Sequence, residues 1–101
     1  MNQQRVNVRV PTALRRLAED HATVEVCVSS PSVTAGEVLA ALRSCYPGVH
    51  DAALDERGHV RPHVNVFVGA ENIRFAEGLS TPVPPGAEVW ILPAVSGGSL
   101  E

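Results

Sequence analysis

The residues best suited to chemistry in this chain lie at its end, in AVSGGSLE. Gly97 and Gly98 are adjacent, and glycines carry the largest entropy cost of ordering, so the pair is a poor finish for a strand or helix. Either the terminus is frayed there, or a thin, flexible, cleavable arm is the point of the protein. The other reactive side chains point nowhere comparable. Cys27 and Cys45 form no CxxC or Cys/His arrangement, which argues against a zinc site or a disulfide framework. Nothing near Cys27 lowers its thiol pKa, so it reads as inert, and Cys45 reads as a small core residue on a helix stripe. His59 and His63 have ligand spacing only on a helix, which Pro62 opposes, while His21 and His50 read as loop residues. Glu19-Asp20 and the Asp51, Asp55, Glu56 group read as solvated acids, and no carboxylate pair suggests general acid–base work.

The bulk composition narrows the classes. The chain has 101 residues, 45% of them apolar, enough for one domain with one core. Its net charge is −3 and no basic cluster appears, which argues against nucleic acid and anionic membranes as partners. All 8 basic residues are arginine. Lysine nucleophiles and Schiff bases are therefore excluded within the chain, as is its linkage into chains through its own lysines. The N-terminus MNQQRVNV lacks an apolar signal core, and no run reaches transmembrane length. A reducing cytoplasm is the expected compartment.

The elements that must hold the arm show in the periodicity. Val6, Val8 and Val10 alternate with Asn7 and Arg9, and Val24, Val26 and Val28 with Glu25 and Cys27; both stretches read as half-buried strands close enough to pair antiparallel. Between them PTALRRLAED reads as a helical turn or a loop. SVTAGEVLAALRSCYPG is the clearest helix. Thr34 and Glu37 fit a capping box, Val38, Leu42, Cys45 and Tyr46 form a stripe with Leu39 beside it, and Pro47-Gly48 stops the helix. VHDAALDERGHVRP reads as a short helical turn and then a loop. HVNVFV is a third strand, GAENIRF a turn and short fourth strand, and AEVWIL the last strand, closed by Pro93. This order predicts an α+β fold in which one main helix covers one face of a small mixed sheet.

That order, ending in GAEVWILPAVSGG, resembles the MoaD/ThiS family of ubiquitin-like β-grasp sulfur carriers. VNVRVPTALR, TAGEVLAALRSCYPG, HVNVFV, NIRFAEGLSTPV and ILPAVSGG extend the likeness over nearly the whole chain, closest to the CysO subgroup serving cysteine biosynthesis. The resemblance implies a β-grasp domain over 1–95 and a flexible tail over 96–101. It implies a protein co-substrate rather than an enzyme, with no bound cofactor and no metal. A ubiquitin-activating-type adenylyltransferase/sulfurtransferase would use ATP to adenylate Gly98, and sulfur would displace AMP to leave a thiocarboxylate there. A cysteine synthase-type sulfhydrylase would accept the sulfur as a cysteine adduct, and a JAMM-type metallopeptidase would release the product. Pro93 would stiffen the base of the tail, Ala94, Val95, Ser96 and Gly97 would form it, and Val95 would anchor it in the partner's channel.

Other outlets use the same tail. A carrier for molybdopterin, thiazole or a thiolated natural product would load Gly98 in the same way, as would a ubiquitin-like modifier conjugated through Gly98 to lysines of other proteins. The sequence departs from the family pattern in one respect: Ser99, Leu100 and Glu101 follow the second glycine. The expectation is a precursor cut between Gly98 and Ser99, the JAMM-type peptidase being the natural candidate; the alternative is that Leu-Glu is a vector remnant.

Phe67, Trp90 and Leu92 share the strand faces opposite the inward valines. Either they form an exposed apolar patch on which the partners dock, or the loop after the helix covers them. Arg74 is a further candidate for the docking surface, facing an acidic partner or Glu71; the alternative is an ordinary solvated arginine.

Overall fold

The computed structural model describes residues 3–93. Five strands form one mixed sheet: β1 (Gln4–Arg9), β2 (Thr23–Val28), β3 (Val64–Val68), β4 (Glu71–Asn72) and β5 (Val89–Pro93), in the spatial order β2-β1-β5-β3-β4. β1 and β2 run antiparallel with Val6 opposite Val26 and Val8 opposite Val24. β5 lies parallel to β1 and antiparallel to β3, so the first and last strands sit side by side inside the sheet. This is the ubiquitin-like β-grasp expected from the sequence.

Alternation decides which face is buried. Val6, Val8, Val24, Val26, Val64, Val66, Val89 and Ile91 all point into the core, where each is almost fully buried. Each such side chain contributes about 1.5–3 kcal/mol on leaving water. The helix α1 (Ala35–Cys45) covers that face with Val38, Leu39 and Leu42, all fully buried. Its start is the expected capping box: the Thr34 hydroxyl accepts from the Glu37 amide at 3.2 Å, and the Glu37 carboxylate accepts from the Thr34 amide at 3.0 Å.

Three local readings are corrected. Cys45 is exposed, not part of the core. Periodicity places it on the buried stripe, but it is the last residue of α1; burial along the helix ends at Leu42, and only Tyr46 beyond it is half-buried. Pro47 ends α1 and also opens a second helix, α2 (Pro47–Ala53), which starts earlier and runs longer than the short helical turn expected after Gly48. Proline suits this place because its missing N–H is one that a first helical turn leaves unbonded anyway. Val49 and Ala53 of α2 are fully buried, so α2 adds to the cover provided by α1. The fourth strand shrinks to Glu71–Asn72 and continues as a 3-10 turn over Ile73–Phe75.

The linker between β1 and β2 settles as a 3-10 helix over Thr12–Ala18, with Ala18 fully buried. It leaves through Glu19 and Asp20, both left-handed at φ 54° and 66°. Gly69, at φ 61°, opens the tight turn joining β3 to β4, a place where hairpin turns call for positive φ. Opposite, the segment before β5 is stitched to the start of α1: the Ala35 amide donates to the Thr81 carbonyl at 2.9 Å, and the Val83 amide to the Val33 carbonyl at 2.8 Å. Among the described residues no buried side-chain nitrogen or oxygen lacks a hydrogen-bond partner, as a stable core requires.

Candidate functional site

The uncovered face of the sheet carries the candidate site. The register sets Trp90 of β5 between Arg9 of β1 and Phe67 of β3, and sets Phe67 opposite Asn72 of β4. One row of side chains therefore crosses the sheet as Arg9, Trp90, Phe67 and Asn72. Leu92 and Asn65 form the next rung, tied to the first by a hydrogen bond from Asn72 Nδ2 to Asn65 Oδ1 at 3.2 Å. Phe67, Trp90 and Leu92 are each half-buried. The loop after the helices does not cover them fully, and the three sit together as the sequence suggested.

Arg9 was not among the expected site residues. Its guanidinium lies 4.4 Å from the Trp90 ring centroid, within range for attraction between a cation and the ring face. Glu88 is 3.6 Å from the same guanidinium, an ion pair beyond hydrogen-bond length, with both side chains more than a third exposed. The signal for this contact is weak in the sequence. Arg9 is simply the outward residue of an alternating strand, and its meeting with Trp90 depends on the parallel pairing of β1 with β5.

β5 ends at Pro93, which lies opposite Val64 and is exposed. Two clefts flank this end and share Pro11, Ala13, Ile91, Leu92 and Pro93 in their walls. One, of about 510 Å³, opens toward α2 and includes Asp51, Arg61 and His63. The other, of about 470 Å³, opens toward Trp90 and includes Arg9 and Arg15. Ala94, Val95, Ser96, Gly97, Gly98 and Ser99, the expected tail and cleavage residues, lie outside the described residues.

Arg74 sits elsewhere. Its Nη2 donates to the Val64 carbonyl at 2.9 Å, and it lines a separate cleft with His59, Val60 and Leu79. Glu71 does not pair with it: among the described residues the ion pairs are Arg9–Glu88 and two histidine–carboxylate contacts. Cys27 is exposed, opposite Arg5 on the uncovered face. Among the described residues no group of three or more His, Cys, Asp or Glu is placed to hold a metal, and no helix is long and apolar enough to cross a membrane.

One carboxylate outside this face is perturbed. Asp55 accepts from the backbone amides of His59 and Arg57, both at 2.9 Å. The His59 bond is the chief reason its carboxyl titrates below the usual range, helped by the Arg57 bond and by the charges of His59 and Arg61. Its work is to close the loop after α2.

Comparison with known proteins agrees with this architecture. The family model of the ThiS family matches residues 8–98, so the match runs through the glycine pair and stops at Gly98. The sulfur carrier protein CysO of Mycobacterium tuberculosis is 37% identical over 95 residues, covering 92% of this chain and 98% of that one. The crystal structure of M. tuberculosis CysO superposes with a TM-score of 0.76 at 34% identity, covering 89% of this chain and 99% of that one. The BexX/CysO complex of Amycolatopsis orientalis matches with a TM-score of 0.76 at 33% identity, over 92% of this chain and 99% of the matched one. Small archaeal modifier protein 3 of Haloferax volcanii is 34% identical over 65 residues, 64% of this chain and 70% of that protein. A β-grasp body and a family match reaching the second glycine place the chain in the ThiS family, the family of small ubiquitin-like sulfur carriers.

Proposed function

We propose that this chain carries sulfur as a thiocarboxylate on Gly98. The observation that supports it most directly is the family match that ends on that residue, joined to the exposure of Pro93, the last described residue before it. A free carboxylate is a poor electrophile. Attack of the Gly98 carboxylate on the α-phosphorus of ATP expels pyrophosphate and gives an acyl adenylate. Hydrosulfide then adds to that carbonyl and AMP leaves, giving the thiocarboxylate and a proton. The activating enzyme supplies the ATP site, and the chain supplies an acyl group without a Cβ in the enzyme's path. The outward row of Trp90, Phe67 and Leu92 is the surface on which that enzyme and the sulfur acceptor dock.

In this reading the chain is acted upon and is not itself a catalyst. The acceptor is a sulfhydrylase that forms a cysteine adduct, later freed by a JAMM-type metallopeptidase, a reading supported by the identity to CysO. Ser99, Leu100 and Glu101 are removed first, because while they remain Gly98 is in amide linkage and has no carboxylate to adenylate. A chain ending at Gly98 is therefore expected to be adenylated by ATP and an activating enzyme, and the full-length chain to be inert. Equal loading of the full-length chain at Glu101 would overturn the trimming step.

The likeness to a small archaeal modifier protein favours one second reading, conjugation through Gly98 to lysines of other proteins. Both uses share the acyl adenylate. Sulfide released from the loaded chain supports the carrier, and isopeptide-linked products in cell lysate support the modifier.

A further inference from the structure

The cleft between Trp90 and the 3-10 helix after β1 combines two arginines with an apolar wall. Arg9 and Arg15 line the cleft and no Asp or Glu does, the Glu88 carboxylate meeting Arg9 from outside the lining, although the chain's net charge is −3. The rest of the wall is mostly apolar, including Trp90, Leu92 and Pro93. Both arginines are held in place. Arg15 Nε donates to the Val10 carbonyl at 3.1 Å, which fixes its stem and leaves its two Nη groups without a hydrogen-bond partner among the described residues. Arg9 rests on the Trp90 ring and makes no side-chain hydrogen bond among the described residues; its Glu88 contact, at 3.6 Å, is an ion pair only.

We propose that this cleft seats an acidic, apolar segment of a partner protein, with Arg9 and Arg15 gripping a carboxylate while Trp90 and Leu92 take the apolar neighbour. Preheld guanidinium groups lose little freedom on binding and match a carboxylate's two oxygens. The apolar wall supplies the anchoring contact that charge alone does not give at a surface. Pro93 belongs to the same wall, so a partner seated here holds the point from which the chain continues toward Gly98. Glu88 is a built-in competitor: the incoming carboxylate takes over the guanidinium that Glu88 partly neutralises. The inference rests on the carrier reading in assuming a partner that docks beside the tail.

The test is an NMR titration of the isotope-labelled full chain with the peptide acetyl-Ile-Asp-Leu-Glu-amide. Its Asn/Gln counterpart and inorganic phosphate serve as separate probes. The acidic peptide is expected to shift the Arg9 and Arg15 Nε–H signals and the Trp90 indole N–H, and the neutral peptide to leave them in place. Arg9→Gln and Arg15→Gln are each expected to weaken binding about tenfold, the loss of one hydrogen-bonded charge contact, and Glu88→Gln to strengthen it. Three results would overturn the proposal: equal shifts from the neutral peptide, equal shifts from phosphate alone, or no shifts at these three residues. The titration is blind to chemistry at Gly98. A chain that takes the peptide yet never carries sulfur would sink only the carrier reading, and a loaded chain indifferent to peptide charge would sink only the cleft.

Discussion

Arg9 and Trp90 lie side by side on the parallel central strands, with the guanidinium 4.4 Å from the indole centroid. The contact joins the first strand of the chain to the last one before the tail. At a half-exposed site such a pair contributes about 0.5–1 kcal/mol. A double-mutant cycle of Arg9→Ala and Trp90→Ala in urea should therefore give a coupling energy of about that size. Additive losses would mean that the two side chains are neighbours without interaction.

Trp90 also reads on function. It is half-buried at the centre of the outward row, so Trp90→Ala should leave the fold intact while lowering the fraction of cellular protein loaded with sulfur, by about tenfold or more if it is a docking hot spot. Intact mass of the purified variant measures this, with its melting curve as the control for folding. Normal loading would remove the row from the docking surface.

The capping box makes a purely structural prediction. Thr34→Ala removes the acceptor of the Glu37 amide and should cost about 1 kcal/mol of stability, read as a lowered urea midpoint with unchanged slope. Loss of much more would show that the Thr34 side chain does something beyond capping.

Asp55 predicts a pH dependence. Its folded-state pKa lies below the ordinary 3.8, chiefly through the His59 amide. The unfolded chain therefore takes up the proton first as pH falls, and the stability Asp55 contributes is present above that ordinary value and lost as pH drops through it toward the lower folded value. Asp55→Ala should be less stable than the parent at neutral pH, with the gap closing in acid. A gap independent of pH would assign the effect to lost packing.

Most of the body was legible in the sequence because its signals are local. Valine alternation marked β1, β2 and β3, and Thr34 with Glu37 marked the start of α1. What escaped depended on what lies above or beside a residue. Cys45 obeys the helical period, yet the helix ends on it and nothing covers it. Pro47-Gly48 stops one helix by the same property that lets proline open the next. Arg9 became part of the site only when β5 was laid beside β1, a pairing between opposite ends of the chain. The glycine pair lies outside the described residues, and what bears on it is the family match that reaches Gly98.

The claim underlying the rest is that Gly98 is the acyl group that holds sulfur. Intact mass spectrometry of the protein isolated from its own cells tests it most directly. The account predicts a species ending at Gly98 and heavier than the plain acid by the difference between one sulfur and one oxygen, which iodoacetamide alkylates and fragmentation assigns to the terminal residue. A chain that persists through Glu101 with only oxygen at its terminus, in cells actively assimilating sulfur, would contradict it.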